Sequence, residues 1–201
     1  LLPNRATPIE AVLVPFAIPG SSEAAVAVTV GVKKATADGK STDSVELLTR
    51  AFTPVGDPRG QQLQRFRITP DSSPGTRFDV LSQLAVPAGR YEFRLSVQDV
   101  ALDKTGSVYA YVEVPDFSKE ALSLSGLVLS DTAAMGGPKD ALISIMPVVP
   151  TSRREFRSTD HISGFVRTYQ GEDKPPLAAE IRTTLRDEND SVVIDRTEQI
   201  S

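Results

Sequence analysis

Thirteen glycines and fifteen prolines punctuate this chain of 201 residues. That is about one breaker every seven residues, and a helix interior loses ~1 kcal/mol at each Gly and ~3 kcal/mol at each Pro. Long helices cannot survive that density. Between the breakers stand Val 21, Thr 16 and Ile 9, residues that lose rotamer freedom in helices and pack well on pleated surfaces. Short strands with turn signals between them predict an all-β sandwich or barrel. The length admits one large domain or two of ordinary size, at roughly 100–150 residues each.

The first half alternates with period two. Val26, Val28, Val30 and Val32 fall on one face of 24–33, and Ala25, Ala27, Thr29 and Gly31 on the other. A strand with one valine face buries it on a partner sheet. Residues 9–18 read as the preceding strand. Pro15 inside it cannot donate to a ladder, which places it on an edge or at a sheet switch. In 43–53, Asp43 with Glu46 suits a helix-capping box, and Val45, Leu48 and Phe52 recur at helical spacing. Val45, Leu47 and Thr49 also alternate, and the strand reading is preferred. Residues 61–69 supply its hairpin partner across 54–60, which is dense in turn residues. Residues 76–86 form another strand, with a bulge expected where Val80 and Leu81 are both apolar.

The clearest local signal is PAGRYEFRLSV at 87–97. Tyr91, Phe93, Leu95 and Val97 share one face; Glu92, Arg94, Ser96 and Gln98 share the other. A Pro-Ala-Gly turn entering a strand that starts with Tyr resembles the tyrosine corner of immunoglobulin-like sandwiches, where the hydroxyl bonds backbone at the corner. Phe93 then stands where antibody domains carry their second Cys. Residues 105–114 close the set, with Val108, Ala110, Val112 and Val114 inward. Seven strands complete one sandwich over 1–116.

Residues 115–120 read as a boundary. A second unit, 117–201, is expected to start at 122–130, pass a loose stretch at 131–140, and add strands at 141–149, 160–169, 178–187 and 191–200, with 153–157 as a further candidate. That is too few strands for a complete sandwich. The fold expected is therefore all-β: two consecutive immunoglobulin-like or fibronectin-like sandwiches, the second truncated at its C-terminus, with a sheet edge left to be covered. The chain begins at Leu1, and residues 1–30 hold no basic region followed by an apolar core. It therefore reads as a piece of something longer, without its own signal peptide. Pro15, Pro19, Pro147 and Pro150 break the apolar runs, and none approaches the ~20 residues of a membrane span.

Composition removes many activities. With no Cys there is no disulfide scaffold, thiolate metal site or cysteine nucleophile. One His excludes any site needing two. A net charge of −4 argues against nucleic-acid binding, which scales with clustered basic charge. No Trp and only Phe 8 and Tyr 4 weaken a carbohydrate platform or a single-strand stacking surface.

The remaining constellations are modest. His161 lies beside Asp160 and Ser163, but adjacent residues on one strand cannot converge as a triad must. Asp187, Glu188, Asn189 and Asp190 crowd oxygens into a turn without the spacing of a calcium loop, so a solvated hairpin turn is expected. Gly136-Gly137-Pro138-Lys139 lacks the spacing and the Ser or Thr of a phosphate loop. Arg153, Arg154 and Arg157 read as a solvated loop, and Arg65 and Arg67 as an outer strand face. Tyr109 and Tyr111 lie opposite the valines of 105–114. They are the candidate interaction surface, either covered by a neighbour or packed across strands at the sheet edge. No catalytic, cofactor-binding or metal residue is assigned.

Several segments together resemble the C-terminal β-rich region of bacterial proteins related to the von Willebrand factor type A domain, of the Acidobacteria type. They are VPFAIPGSSEAAVAVTVGV (14–32), VELLTRAFTPVGDPRGQQ (45–62), GRYEFRLSVQDVALDKTGSVYAYVEVPDF (89–117), LSLSGLVLS (122–130) and PVVPTSRREFRSTD (147–160). The resemblance implies the accessory tail of an exported, adhesion-type protein at the periplasm or cell surface. It does not transfer the A domain's metal site: that needs an Asp-x-Ser-x-Ser run, and the nearest match, Asp71-Ser72-Ser73-Pro74-Gly75, lacks the second Ser. The function expected is a non-enzymatic structural or protein-interaction segment. Its partners would be other domains of the same polypeptide or another protein; no nucleic acid, small molecule or cofactor is expected. A carbohydrate-binding sandwich using Tyr109 and Tyr111, and a glycoside hydrolase fragment built on paired carboxylates, are the alternatives.

Overall fold

Alternation decides the first two sheets. In the computed structural model, which describes residues 4, 7–68, 75–119, 121–132, 135–138, 140–171 and 178–200, the chain is all-β, with no helix among the described residues. The first half contains β1 (Ile9–Ala17), β2 (Glu23–Lys33), β3 (Thr36–Ala37), β4 (Lys40–Ser41), β5 (Ser44–Phe52), β6 (Pro58–Arg67), β7 (Arg77–Pro87), β8 (Gly89–Asp99) and β9 (Lys104–Val114). The second contains β10 (Leu122–Leu124), β11 (Val128–Asp131), β12 (Gly136–Gly137), β13 (Ile162–Phe165), β14 (Thr168–Gln170), β15 (Ala179–Arg186) and β16 (Val192–Ile200).

Two sheets, ordered β1-β2-β7-β12 and β6-β5-β8-β9, enclose the main core. From β2 come Val26, Val28, Val30 and Val32; from β5, Val45 and Leu47; from β8, Tyr91, Phe93, Leu95 and Val97. Each such side chain, fully buried, stabilises the fold by about 1.5–3 kcal/mol relative to exposure. Phe93 is completely buried and packs this core without a bridge. β1 is an edge strand, so Pro15 sits where a missing donor is tolerated. The 43–53 segment is strand from Ser44 to Phe52, paired with β6 on one side and β8 on the other. The Tyr91 hydroxyl donates to the Pro87 carbonyl at 2.9 Å, so the corner read from PAGRY is built as expected. Gly89 sits within it at φ 152°, a conformation that disfavours a side chain.

The face of β2 that carries Ala25, Ala27, Thr29 and Gly31 is the outer face of β1-β2-β7. It carries a second core. Val14, Phe16, Ala25, Ala27 and Leu81 pack against Val128, Leu142, Ile145 and Met146, with Phe165 and Tyr169 at the margin. The alanines of β2 admit this covering layer close to the backbone. The bulge expected at Val80 and Leu81 is absent: β2 and β7 pair in unbroken register from Glu23↔Pro87 to Lys33↔Arg77. Both residues are apolar because both faces are buried, Val80 in the first cluster and Leu81 in the second.

Local expectations in the second half are corrected. Residues 141–149 form no strand. They coil in turns closed by Ala141 N–H to Pro138 O at 3.1 Å and Met146 N–H to Leu142 O at 2.9 Å, which aims Leu142, Ile145 and Met146 together at the second core. Residues 153–157 form no strand either. The loose stretch 131–140 holds β12, which adds to β7 in parallel. There Gly136 is needed, since a Cβ would come within 2.9 Å of the Asp79 carbonyl. The 122–130 segment is split at Gly126, which crosses tightly over Val14, into β10 paired with β14 and β11 paired with β13. β15 and β16 pair as the expected hairpin, and its side chains are mostly exposed.

Candidate interaction face

The outer face of β6-β5-β8-β9 is built by register. Phe52 lies opposite Glu92, and Arg50 opposite Arg94. Glu92 in turn lies opposite Tyr111, and Arg94 opposite Tyr109. These residues share one face because opposed residues of an antiparallel pair point the same way.

Arg94 is the hub. Its guanidinium lies 4.3 Å from the centroid of Phe52 and 5.3 Å from that of Tyr109, a cation between two rings on three neighbouring strands. Its Nε also donates to Glu92 at 2.6 Å. Glu92 accepts a second bond, from the Tyr111 hydroxyl at 2.8 Å. Donation from Arg94 and then from Tyr111 holds the Glu92 carboxyl below its ordinary range. The same bond raises the Tyr111 hydroxyl, because ionising it would place two negative charges together.

The two predicted site residues differ in situation. Tyr109 is half-buried beside Arg94, whereas Tyr111 is 78% exposed, its ring open to solvent and its hydroxyl tied down. Further along the face Leu63 is 65% exposed beside half-buried Leu48. Arg65 is outward as expected and bonds Glu46 through Nε at 2.9 Å. Beside Tyr111 a cleft of about 500 Å³ runs between the β5–β6 turn and the ends of β8 and β9. Sequence reading missed Phe52, Glu92 and Arg94 as partners of the tyrosines. Glu92 and Arg94 were legible as the polar face of β8, but only the β8–β9 register sets them opposite the tyrosines.

The other constellations resolve as follows. Arg153 is no solvated loop residue: it pairs with the buried Asp131 and, at 2.9 Å, with Asp160. Asp160 also accepts the Arg157 N–H at 2.9 Å, so its carboxylate is engaged away from the exposed His161. Asp187 accepts the N–H groups of Asn189 and Ser191, both at 2.9 Å, and so closes the hairpin turn. Lys139 and residues 71–74 lie outside the described residues. Among the described residues no group of three or more His, Asp or Glu is placed to hold a metal ion. No helix among them is long and apolar enough to cross a membrane. A scan of protein-family models finds no match to the chain, and a search of curated proteins finds none either.

Proposed function

We propose that this chain is a non-enzymatic structural and protein-interaction segment. In this reading it forms immunoglobulin-like sandwich units in the tail of a larger exported protein related to the von Willebrand factor A type. One observation carries it. Of the two sheets around the main core, one has its outer face covered by the rest of the chain. The other leaves Leu63, Leu48, Phe52, Tyr109 and Tyr111 on a face that no second core covers among the described residues, interleaved with the ion pairs Arg65–Glu46 and Arg94–Glu92. Exposed apolar residues gathered with tyrosine and arginine on one face mark interaction surfaces. The covered face supplies rigidity, and the uncovered face supplies the contact.

The test is site-specific photocrosslinking in the producing cell. A benzoylphenylalanine at position 63 is expected to give a discrete protein adduct, and one at exposed position 38 none. Equal, diffuse labelling at both positions would sink the reading. So would a hydrolase or transferase activity that co-purifies with the chain and disappears when one polar cluster is mutated.

A further inference from the structure

We propose that the cleft beside Tyr111 is a saccharide subsite that takes an uncharged pyranose ring of a glycan. The proposal rests on reading this sheet face as the interaction surface, and it names a ligand for one end of it. The cleft, of about 500 Å³, is lined by Thr53, Pro54, Arg90, Glu92, Tyr111 and Glu113, among others. That volume lies within the range of small-ligand sites.

Three features select the ligand class. First, the Tyr111 ring is open to solvent, yet its hydroxyl is fixed on Glu92 at 2.8 Å. The ring is therefore pre-oriented, which reduces the ordering cost of binding. A pyranose presents a flat face of C–H groups that carry slight positive charge. The negative face of an aromatic ring receives it.

Second, the rim offers both kinds of polar partner. Arg90 only donates and Glu113 only accepts, and a sugar hydroxyl does both. Arg90 Nε and Glu113 Oε2 stand 3.6 Å apart, with both side chains more than 70% exposed. An exposed pair of this kind is worth little in water, so it opens readily to admit vicinal hydroxyls.

Third, the charges cancel. Two arginines, Arg90 and Arg94, face two glutamates, Glu92 and Glu113. The lining therefore carries no net charge to favour a phosphate, a sulfated sugar or an ammonium group. An uncharged polyol on a ring scaffold satisfies all three features.

The experiment uses the intact chain on a printed array of neutral and acidic glycans. It is followed by titration of tyrosine emission, which is usable because the chain has no Trp. Retention of neutral glycans is expected. Tyr111→Ala should weaken it by about tenfold, the effect of losing one stacked ring. Tyr111→Phe keeps the ring and should lose no more than about threefold, with circular dichroism confirming both folds. Retention of acidic glycans alone, or binding indifferent to Tyr111→Ala, overturns the proposal. A blank array with a protein adduct from a crosslinker at position 111 overturns the saccharide and leaves the protein-interaction reading standing. A blank array with no adduct at position 63 or 111 overturns both.

Discussion

The Thr151 hydroxyl donates to the buried Asp79 carboxylate at 2.9 Å, across 72 positions of sequence. Asp79 lies on the outer face of β7 and also receives the Ser152 hydroxyl and, at 3.3 Å, the Ser152 N–H. Arg77, one step along that face, donates to Ser152 at 2.9 Å and to Glu10 at 2.7 Å. This polar patch continues the second core. Together they fasten the later part of the chain to the first sheet.

Asp79→Ala removes the acceptor and leaves buried donors without a partner. Each buried group orphaned in this way costs about 1–3 kcal/mol, so a loss of about 2–4 kcal/mol is expected for the set. Urea denaturation measures it. A loss below about 0.5 kcal/mol, the range of surface changes, would show that the fastening is not made in solution.

Gly31 lies between Glu10 and Asp79 in the same cross-strand row. A Cβ there would overlap the Arg77 guanidinium and the Ser152 hydroxyl. Gly31→Ala is expected to cost about 1–3 kcal/mol by overpacking. It should couple with Asp79→Ala, because both act on one network. A double-mutant cycle that closes additively would contradict the shared network.

Leu81 belongs to the second core, on the face of β7 away from the sandwich interior. Leu81→Ala is expected to cost about 2–5 kcal/mol, like any core truncation. It should also speed amide exchange in 142–146 at once. Were that face open to water, the substitution would be nearly silent.

Tyr91 predicts an alkaline weakness. Burial raises its hydroxyl above the ordinary tyrosine value. The group stays protonated longer folded than unfolded, so its contribution is complete below the unfolded pKa of about 10. It is then lost as pH rises through the folded value. Tyr91→Phe should cost about 1–2 kcal/mol at neutral pH, from the Pro87 carbonyl left without its donor. It should also flatten the alkaline limb of the stability curve. An alkaline limb unchanged in Tyr91→Phe would contradict this assignment.

Glu92 reports on the exposed face. Arg94 is the larger cause of its lowered pKa and Tyr111 the lesser. Its stabilising charge is present above the ordinary carboxylate range and lost as pH falls through the lowered value. Carbon-detected NMR titration should show Glu92 returning toward the ordinary value in Arg94→Ala, and by less in Tyr111→Phe. The opposite order would mean that the Arg94–Glu92 pair is not formed in solution.

Breakers and β-branched residues determined an all-β chain, and period-two alternation marked the inward faces of 24–33, 87–97 and 105–114. The tyrosine corner was also legible, because it is local: Tyr91 reaches only four residues back to Pro87. What tertiary structure decided is the second side of things. Small residues at Ala25, Ala27 and Gly31 read alike whether they face water or a covering layer, since alternation reports one buried face and is silent on two. Turns at 141–146 and a strand at 141–149 would present the same apolar residues, and only the cap over Phe16 and Leu81 selects the turns. Tyr109 and Tyr111 were visible as outer residues, yet their partners were not. Phe52, Glu92 and Arg94 meet them through strand register, which is set by pairing between residues far apart in the chain.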